Sequence, residues 1–204
     1  MLTGLCVLLP AIVVGAQQTA AKIEWAIPLQ RGPVQIVAGA WKTERAGSAA
    51  VITHDGTKWT AKEGYPLALF RQPETFSGGT VWLDFKLIGG SDDYSAGLVF
   101  GHTGGGTYFY VRYNTKDGNV ALWRMDGPKR SVIKHGEHHE PLAKNAWHRL
   151  ELTVTGTKVR GAVTGRPLVV EHVLDEPVSG RLGMWTKPDA TSAFRNLQVS
   201  ESPR

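Results

Sequence analysis

The sequence predicts an all-β protein, folded as a two-sheet antiparallel sandwich. Three observations predict it. Short segments alternate apolar and polar side chains with the period of two that a half-buried strand requires. Turn signals built on Gly, Asn and Asp separate these segments at short, regular intervals. Long amphipathic stretches with helical spacing are missing, while glycine supplies 24 of 204 residues. A hydrophobic content of 42% is ample for a core.

The elements follow in chain order. In the lead-in Gln17–Pro33, Trp25, Ile27 and Leu29 alternate as in a first edge strand, with Pro28 and Pro33 confining it to an edge. Val34–Trp41 is a second short apolar run. Ala49–Thr53 and Lys58–Ala61 flank Asp55-Gly56, which predicts a hairpin turn. Leu67–Phe70 is apolar and stops before Pro73. Thr80–Ile88 is the cleanest strand: Val81, Leu83, Phe85 and Leu87 point one way, Trp82, Asp84 and Lys86 the other. Tyr94–Met125 reads as three consecutive strands, Ala96–Gly101, Thr107–Tyr113 and Asn119–Met125, with glycine-rich reversals between them. In the middle one Phe109, Val111 and Tyr113 share a face opposite Tyr108, Tyr110 and Arg112. Arg130–Lys134 is a short strand, and His135–Lys144 a loop. Trp147–Thr155 sets His148, Leu150, Leu152 and Val154 against Trp147, Arg149, Glu151 and Thr153. Lys158–Val163, Pro167–Val173, Arg181–Trp185 and Ser192–Val199 complete the set.

Residues 1–16, MLTGLCVLLPAIVVGA, read as a secretory signal peptide: an apolar run ends at the small residues Gly15 and Ala16. Residues 17–21 form an N-terminal lead-in, and residues 22–200 a single domain. The lone cysteine, Cys6, lies in the signal segment, so the mature chain is expected to use neither disulfides nor thiol chemistry. These features predict a secreted or periplasmic protein. No internal run reaches the ~18 apolar residues of a membrane span, so no stable membrane insertion is expected after cleavage. The net charge of +5 is scattered. It does not form the basic stripe of a nucleic-acid binder, and no nucleic acid is expected as partner. Weak affinity for acidic glycans is compatible with it.

The outward residues Trp82, Asp84, Tyr108, Tyr110, Arg112, Trp123 and Arg124 are candidates for one concave sheet face. Sugars stack apolar ring faces on Trp or Tyr, while charged groups take their hydroxyls. Trp82, Tyr108, Tyr110, Arg112, Trp123 and Arg124 are therefore the candidate substrate-binding residues, and a carbohydrate or glycoside the expected partner. The histidines His135, His138 and His139 with Glu140 sit in a Gly/Pro-containing loop without a helical i, i+4 pair, and read as a solvated loop, not a metal site. Asp92, Asp93, Asn114 and Asp117 offer oxygens to Ca²⁺, but Asx-turn chemistry accounts for them. No cofactor is expected. The glycine run after His102 lacks the Lys-Ser/Thr of a phosphate loop, and no nucleophile triad is recognisable.

The stretch WHRLELTVTGTKVRGAVTGRPLVVEHV, then SGRLGMWTKPDATSAFRNLQV, together with AGLVFG…YFYVRYN…NVALWRM, resembles the secreted bacterial 3-keto-disaccharide hydrolase domain family. The resemblance covers about residues 81–199, and its closing GMWTK motif is the more specific part. It implies a concanavalin A-like jelly roll, related to laminin-G-like and family 16 glucanase folds, and a sugar as ligand. Members that look enzymatic carry an acidic residue in the strand matching Tyr108–Tyr113, where this chain has none. The Glu-x-Asp-x-x-Glu strand of family 16 glucanases is missing too. Glycoside hydrolysis needs two carboxylates flanking the bond, about 5–5.5 Å apart for retention and wider for inversion. Asp84 and Glu151 point out of regular strands and are the candidate acid/base pair, with His102 as a possible partner. The leading expectation is a carbohydrate-binding jelly roll. The alternatives are a hydrolase or lyase for 3-keto-glycosides and a structural or adhesive cell-envelope module.

Overall fold

The computed structural model describes residues 25–26, 34–46, 49–91 and 93–201. Among the described residues fifteen strands follow one another: β1 (Trp25–Ala26), β2 (Val34–Ala38), β3 (Trp41–Ala46), β4 (Ala49–His54), β5 (Leu67–Phe70), β6 (Gly79–Gly89), β7 (Ser95–His102), β8 (Tyr108–Asn114), β9 (Asn119–Asp126), β10 (Lys129–His135), β11 (Trp147–Thr155), β12 (Lys158–Val163), β13 (Val169–Val173), β14 (Arg181–Trp185) and β15 (Thr191–Glu201). They form two antiparallel sheets. The first is eight-stranded, in the order β13-β12-β11-β6-β15-β4-β3, with β1 pairing along β15. The second is seven-stranded, in the order β10-β9-β8-β7-β14-β5-β2. The fold is the two-sheet antiparallel sandwich that the alternation predicts, and a jelly roll as the resemblance implies.

Alternation decides which face of each strand turns inward. Val81, Leu83, Phe85 and Leu87 of β6 are fully buried, as are Leu152 of β11 and Phe194 of β15. They meet Leu98 of β7, Val111 and Tyr113 of β8, Leu122 of β9 and Met184 of β14 in one core between the sheets. Phe85 lies 6.1 Å from the Tyr113 ring and 5.6 Å from His148. Burial of such side chains is the main stabilising contribution, about 1.5–3 kcal/mol each. Gly161 of β12 permits a close approach: a Cβ there would stand 2.8 Å from Cγ1 of Val111 in the opposite sheet.

The Asp55-Gly56 pair does not make a hairpin. Asp55 instead caps a 3₁₀ turn, Gly56–Lys58, accepting from the Thr57 amide at 3.1 Å and the Thr57 hydroxyl at 2.6 Å. Asx capping competes with hairpin geometry here, and β4 finds its partners in β3 and β15. Lys58–Ala61 consequently forms no strand. The expected first edge strand is present as Trp25–Ala26, while Ile27, Leu29 and the proposed signal segment lie outside the described residues. Among the described residues no helix is long and apolar enough to cross a membrane.

Candidate functional site

The outer face of the seven-stranded sheet carries a second buried cluster, separate from the core. Leu67 and Leu69 of β5, Val99 of β7, Tyr108 and Tyr110 of β8, Met125 of β9 and Trp185 of β14 compose it, with Tyr65 and Trp123 packed against it. Register brings the aromatics together: Tyr110 stands opposite Trp123 across β8 and β9. The Tyr110 ring stacks on Trp185 at 4.4 Å and on Trp123 at 6.4 Å. Tyr65, from the loop before β5, lies 5.2 Å from Trp185, and His102 stacks on Tyr108 at 5.9 Å. Gly97 of β7 opens this face. It sits opposite Arg112 and Trp185, and a Cβ would meet the Arg112 Cβ at 3.3 Å and the Trp185 ring at 3.4 Å.

Two guanidinium groups lie among the rings. Arg112 is 2% exposed. Its Nη2 donates to Asp117 Oδ2 at 2.5 Å and its Nη1 to Asn119 Oδ1 at 3.4 Å. Burial lowers the Arg112 pKa, and Asp117 opposes that shift through its hydrogen bond and charge. Arg130 of β10 folds back over the cluster, 3.8 Å from the Trp123 ring and 5.1 Å from Tyr65. Its Nε donates to the Tyr110 hydroxyl at 2.6 Å and its Nη1 to the Tyr65 hydroxyl at 3.2 Å. Burial raises the Tyr108 and Tyr110 pKa values, so both phenols stay neutral. Within this cluster the Trp185 indole interacts with the Tyr108 hydroxyl, while two buried donors, Arg112 Nε and Trp123 Nε1, have no hydrogen-bond partner. Leaving such a group unsatisfied costs about 1–3 kcal/mol.

The structure divides the sequence candidates between the outer faces of the two sheets and turns Arg124 away from both. Tyr108, Tyr110, Arg112 and Trp123 share the aromatic face. Arg124, next to Trp123 in β9, points to the opposite side, where it stacks over Phe109 at 5.7 Å and pairs with Asp126 at 3.7 Å. Trp82, Asp84 and Glu151 lie on the outer face of the eight-stranded sheet. There Asp84 accepts from Arg149 Nε and Asn196 Nδ2, each at 2.7 Å, with Arg195 at 3.7 Å. Its ion-pair partners are thus Arg149 and Arg195. Asn196 reaches Asp84 from a bulge in β15 where its φ is 53°, a left-handed value that Asn tolerates. Glu151 accepts from Trp82 Nε1 at 3.0 Å and Arg160 Nη1 at 2.9 Å. His102 belongs to the other sheet.

Among the described residues no group of three or more His, Cys, Asp or Glu side chains is placed to hold a metal ion. His138 Nδ1 contacts the Asp117 carbonyl at 2.8 Å, which clips the histidine loop to the β8–β9 turn. Asp93 pairs with Asn114 and Lys187. Asp92 lies outside the described residues.

Tyr65, Arg130 and Trp185 escaped the sequence reading of this site. Trp185 stood inside the closing GMWTK motif, which was its available signal. Arg130 lies in a strand whose register shifts between Val132 and Lys134, which blurs the alternation. Tyr65, between Gly64 and Pro66, gives no periodic signal at all.

No protein-family model matches the chain, and no curated protein matches it. Solved structures do. The carbohydrate-binding module CBM66 from Bacillus subtilis aligns with a TM-score of 0.65 at 19% identity, over 82% of this chain and 96% of that one. A Bacillus subtilis protein of unknown function with a galectin-like fold aligns at 0.63 and 16% identity, over 89% and 96%. The Bacillus licheniformis β-glucanase aligns at 0.54 and 11% identity, over 87% and 98%. These likenesses establish a concanavalin A-like fold, shared by carbohydrate-binding modules and glycoside hydrolases.

Proposed function

We propose that the protein binds carbohydrate on the outer aromatic face of its seven-stranded sheet, acting outside the cytoplasm. The observation that carries this reading is one cluster of five aromatic rings (Tyr65, Tyr108, Tyr110, Trp123, Trp185) interleaved with Arg112 and Arg130 and holding two unpartnered N–H donors, Arg112 Nε and Trp123 Nε1. A pyranose ring offers C–H faces to Trp and Tyr, and hydroxyls to the donors between them. The Arg112 Nε and Trp123 Nε1 donors are enclosed in the unliganded chain, and a ligand would reach them once Arg130 turns off Trp123. The carbohydrate-binding module and glucanases of the same fold support the reading, as does the resemblance of residues 81–199.

A second reading is a hydrolase or lyase for 3-keto-glycosides. Asp84 and Glu151 favour it, because they stand on one sheet face as diagonal neighbours: Asp84 faces Arg149 and Glu151 faces Trp82. Against it, both oxygens of each carboxylate already accept hydrogen bonds from this chain. Each carboxylate is thus tied into a structural ion pair, Asp84 with Arg149 and Glu151 with Arg160.

One experiment addresses both. The mature protein is titrated calorimetrically with the sugars that a broad glycan array selects, and incubated with a 3-keto-disaccharide. Binding is expected to weaken roughly tenfold or more in Trp123→Ala. A folded protein that captures nothing on the array would overturn the binding reading. Release of a free 3-keto sugar that Asp84→Asn or Glu151→Gln abolishes would put the hydrolase in its place.

A further inference from the structure

We infer that the saccharide bound on this face is acidic, carrying a carboxylate or a sulfate group. This rests on the sugar-binding reading and names its ligand class.

The hydrogen-bonding inventory of the face is lopsided. Arg112 Nε and Trp123 Nε1 are unpartnered and both can only donate, while the Trp185 indole is turned to the Tyr108 hydroxyl. Two of the neighbouring acceptors, Asp117 Oδ2 and Asn119 Oδ1, already take Arg112. The hydroxyls of Tyr110 and Tyr65 accept from Arg130, which leaves their own hydrogens to donate. A neutral sugar presents hydroxyls that donate as readily as they accept, and needs acceptors in return. A carboxylate or sulfate only accepts, so it matches a surface whose surplus is donors.

Charge leads the same way. Arg112 and Arg130 face one carboxylate, Asp117, so the cluster is cationic. The strand that floors it, YFYVRYN, contains no acidic residue. Arg112 is nearly enclosed while Arg130 is only half-buried, so one guanidinium is fixed and the other can turn from its place over Trp123 toward a ligand. The net charge of +5 adds a long-range attraction for such a ligand.

The test uses matched pairs. Hyaluronate oligosaccharides carry only carboxylates, and keratan sulfate oligosaccharides only sulfates. Each is titrated calorimetrically beside its carboxyl-reduced or desulfated counterpart, against the wild type, Arg130→Gln, Trp123→Phe and Lys42→Gln. Lys42 is an exposed cation of β3 and controls for diffuse charge. At least one acidic form should bind ten times or more tighter than its neutral counterpart, and which pair shows this identifies carboxylate or sulfate. Arg130→Gln should weaken the acidic form about 10- to 100-fold, as expected for losing a charged hydrogen bond. Trp123→Phe keeps an aromatic ring, deletes one donor and should weaken it several-fold, an independent check if Arg130→Gln misfolds. Lys42→Gln should change nothing. Neutral sugars bound as tightly as acidic ones would overturn the acidic ligand and leave the sugar-binding reading standing. Equal losses in Lys42→Gln and Arg130→Gln would also overturn it, by assigning the effect to diffuse charge. No binding of either pair, with a blank glycan array, would overturn both readings.

Discussion

His54 shows what burial does to one titratable side chain. It is fully enclosed, with Trp41 at 5.2 Å, and its Nδ1 contacts the Ala190 carbonyl at 2.9 Å. A carbonyl can only accept, so Nδ1 carries the hydrogen and Nε2, without a partner, stays unprotonated. Desolvation holds the His54 pKa below its ordinary value, against the opposing pull of the Ala190 hydrogen bond and the Asp55 charge. The unfolded chain therefore binds a proton more readily than the folded one. The stability from this residue is fully present above about pH 6.5 and falls as the pH drops through that value, by at most about 1.4 kcal/mol per pH unit. Urea unfolding at pH 7.5 and 5.5 should show this loss, and His54→Asn, which keeps a donor toward Ala190, should reduce it. His102 is shifted the same way, by desolvation and by Arg181, and will leave a residual slope. An unchanged pH dependence in His54→Asn would refute the assignment.

Among the elements, β6 is the one on which the eight-stranded sheet depends. It lies between β11 and β15, and its inward side chains are all fully buried. Phe85→Ala should cost about 3–5 kcal/mol in urea unfolding, through lost transfer energy and the cavity left between Tyr113 and His148. A loss under about 1 kcal/mol would mean that the core closes over the gap. β6 was also legible in the sequence to within a residue at each end, because alternation over its length admits one orientation. The same holds for Trp147–Thr155 and for the two faces of β8. Legibility failed where local chemistry had two outlets. Asp55 could turn a hairpin or cap a 3₁₀ turn, and the fold took the cap. It failed again at Arg130, whose role depends on a side chain folding back across neighbouring strands.

At the scale of the molecule, strand pairing decided what sequence alone could not. β6 pairs with β11 and β15, far away in the chain, so Asp84 meets Arg149 and Asn196 and never approaches Arg112. Alternation says which side chains share a face of a strand. It does not say which sheet the strand joins, so one expected set of outward residues became two surfaces. The core that separates those surfaces is continuous and takes side chains from both sheets. Neither sheet keeps an inner face of its own once the other leaves, so the domain should unfold in one step. Scanning calorimetry of the protein should give a ratio of calorimetric to van't Hoff enthalpy of about 1. A ratio near 2 would show two units melting separately.

The stacking of Tyr110 on Trp185, with Trp123 on its other side, has an optical consequence. Chromophores this close couple their transition dipoles, and a rigid chiral stack should give a strong near-ultraviolet circular dichroism couplet. Arg130 rests on Trp123, so any ligand that lifts this cation should change the couplet and the indole emission together. Occupancy of the face is then readable in the unlabelled protein, by light alone.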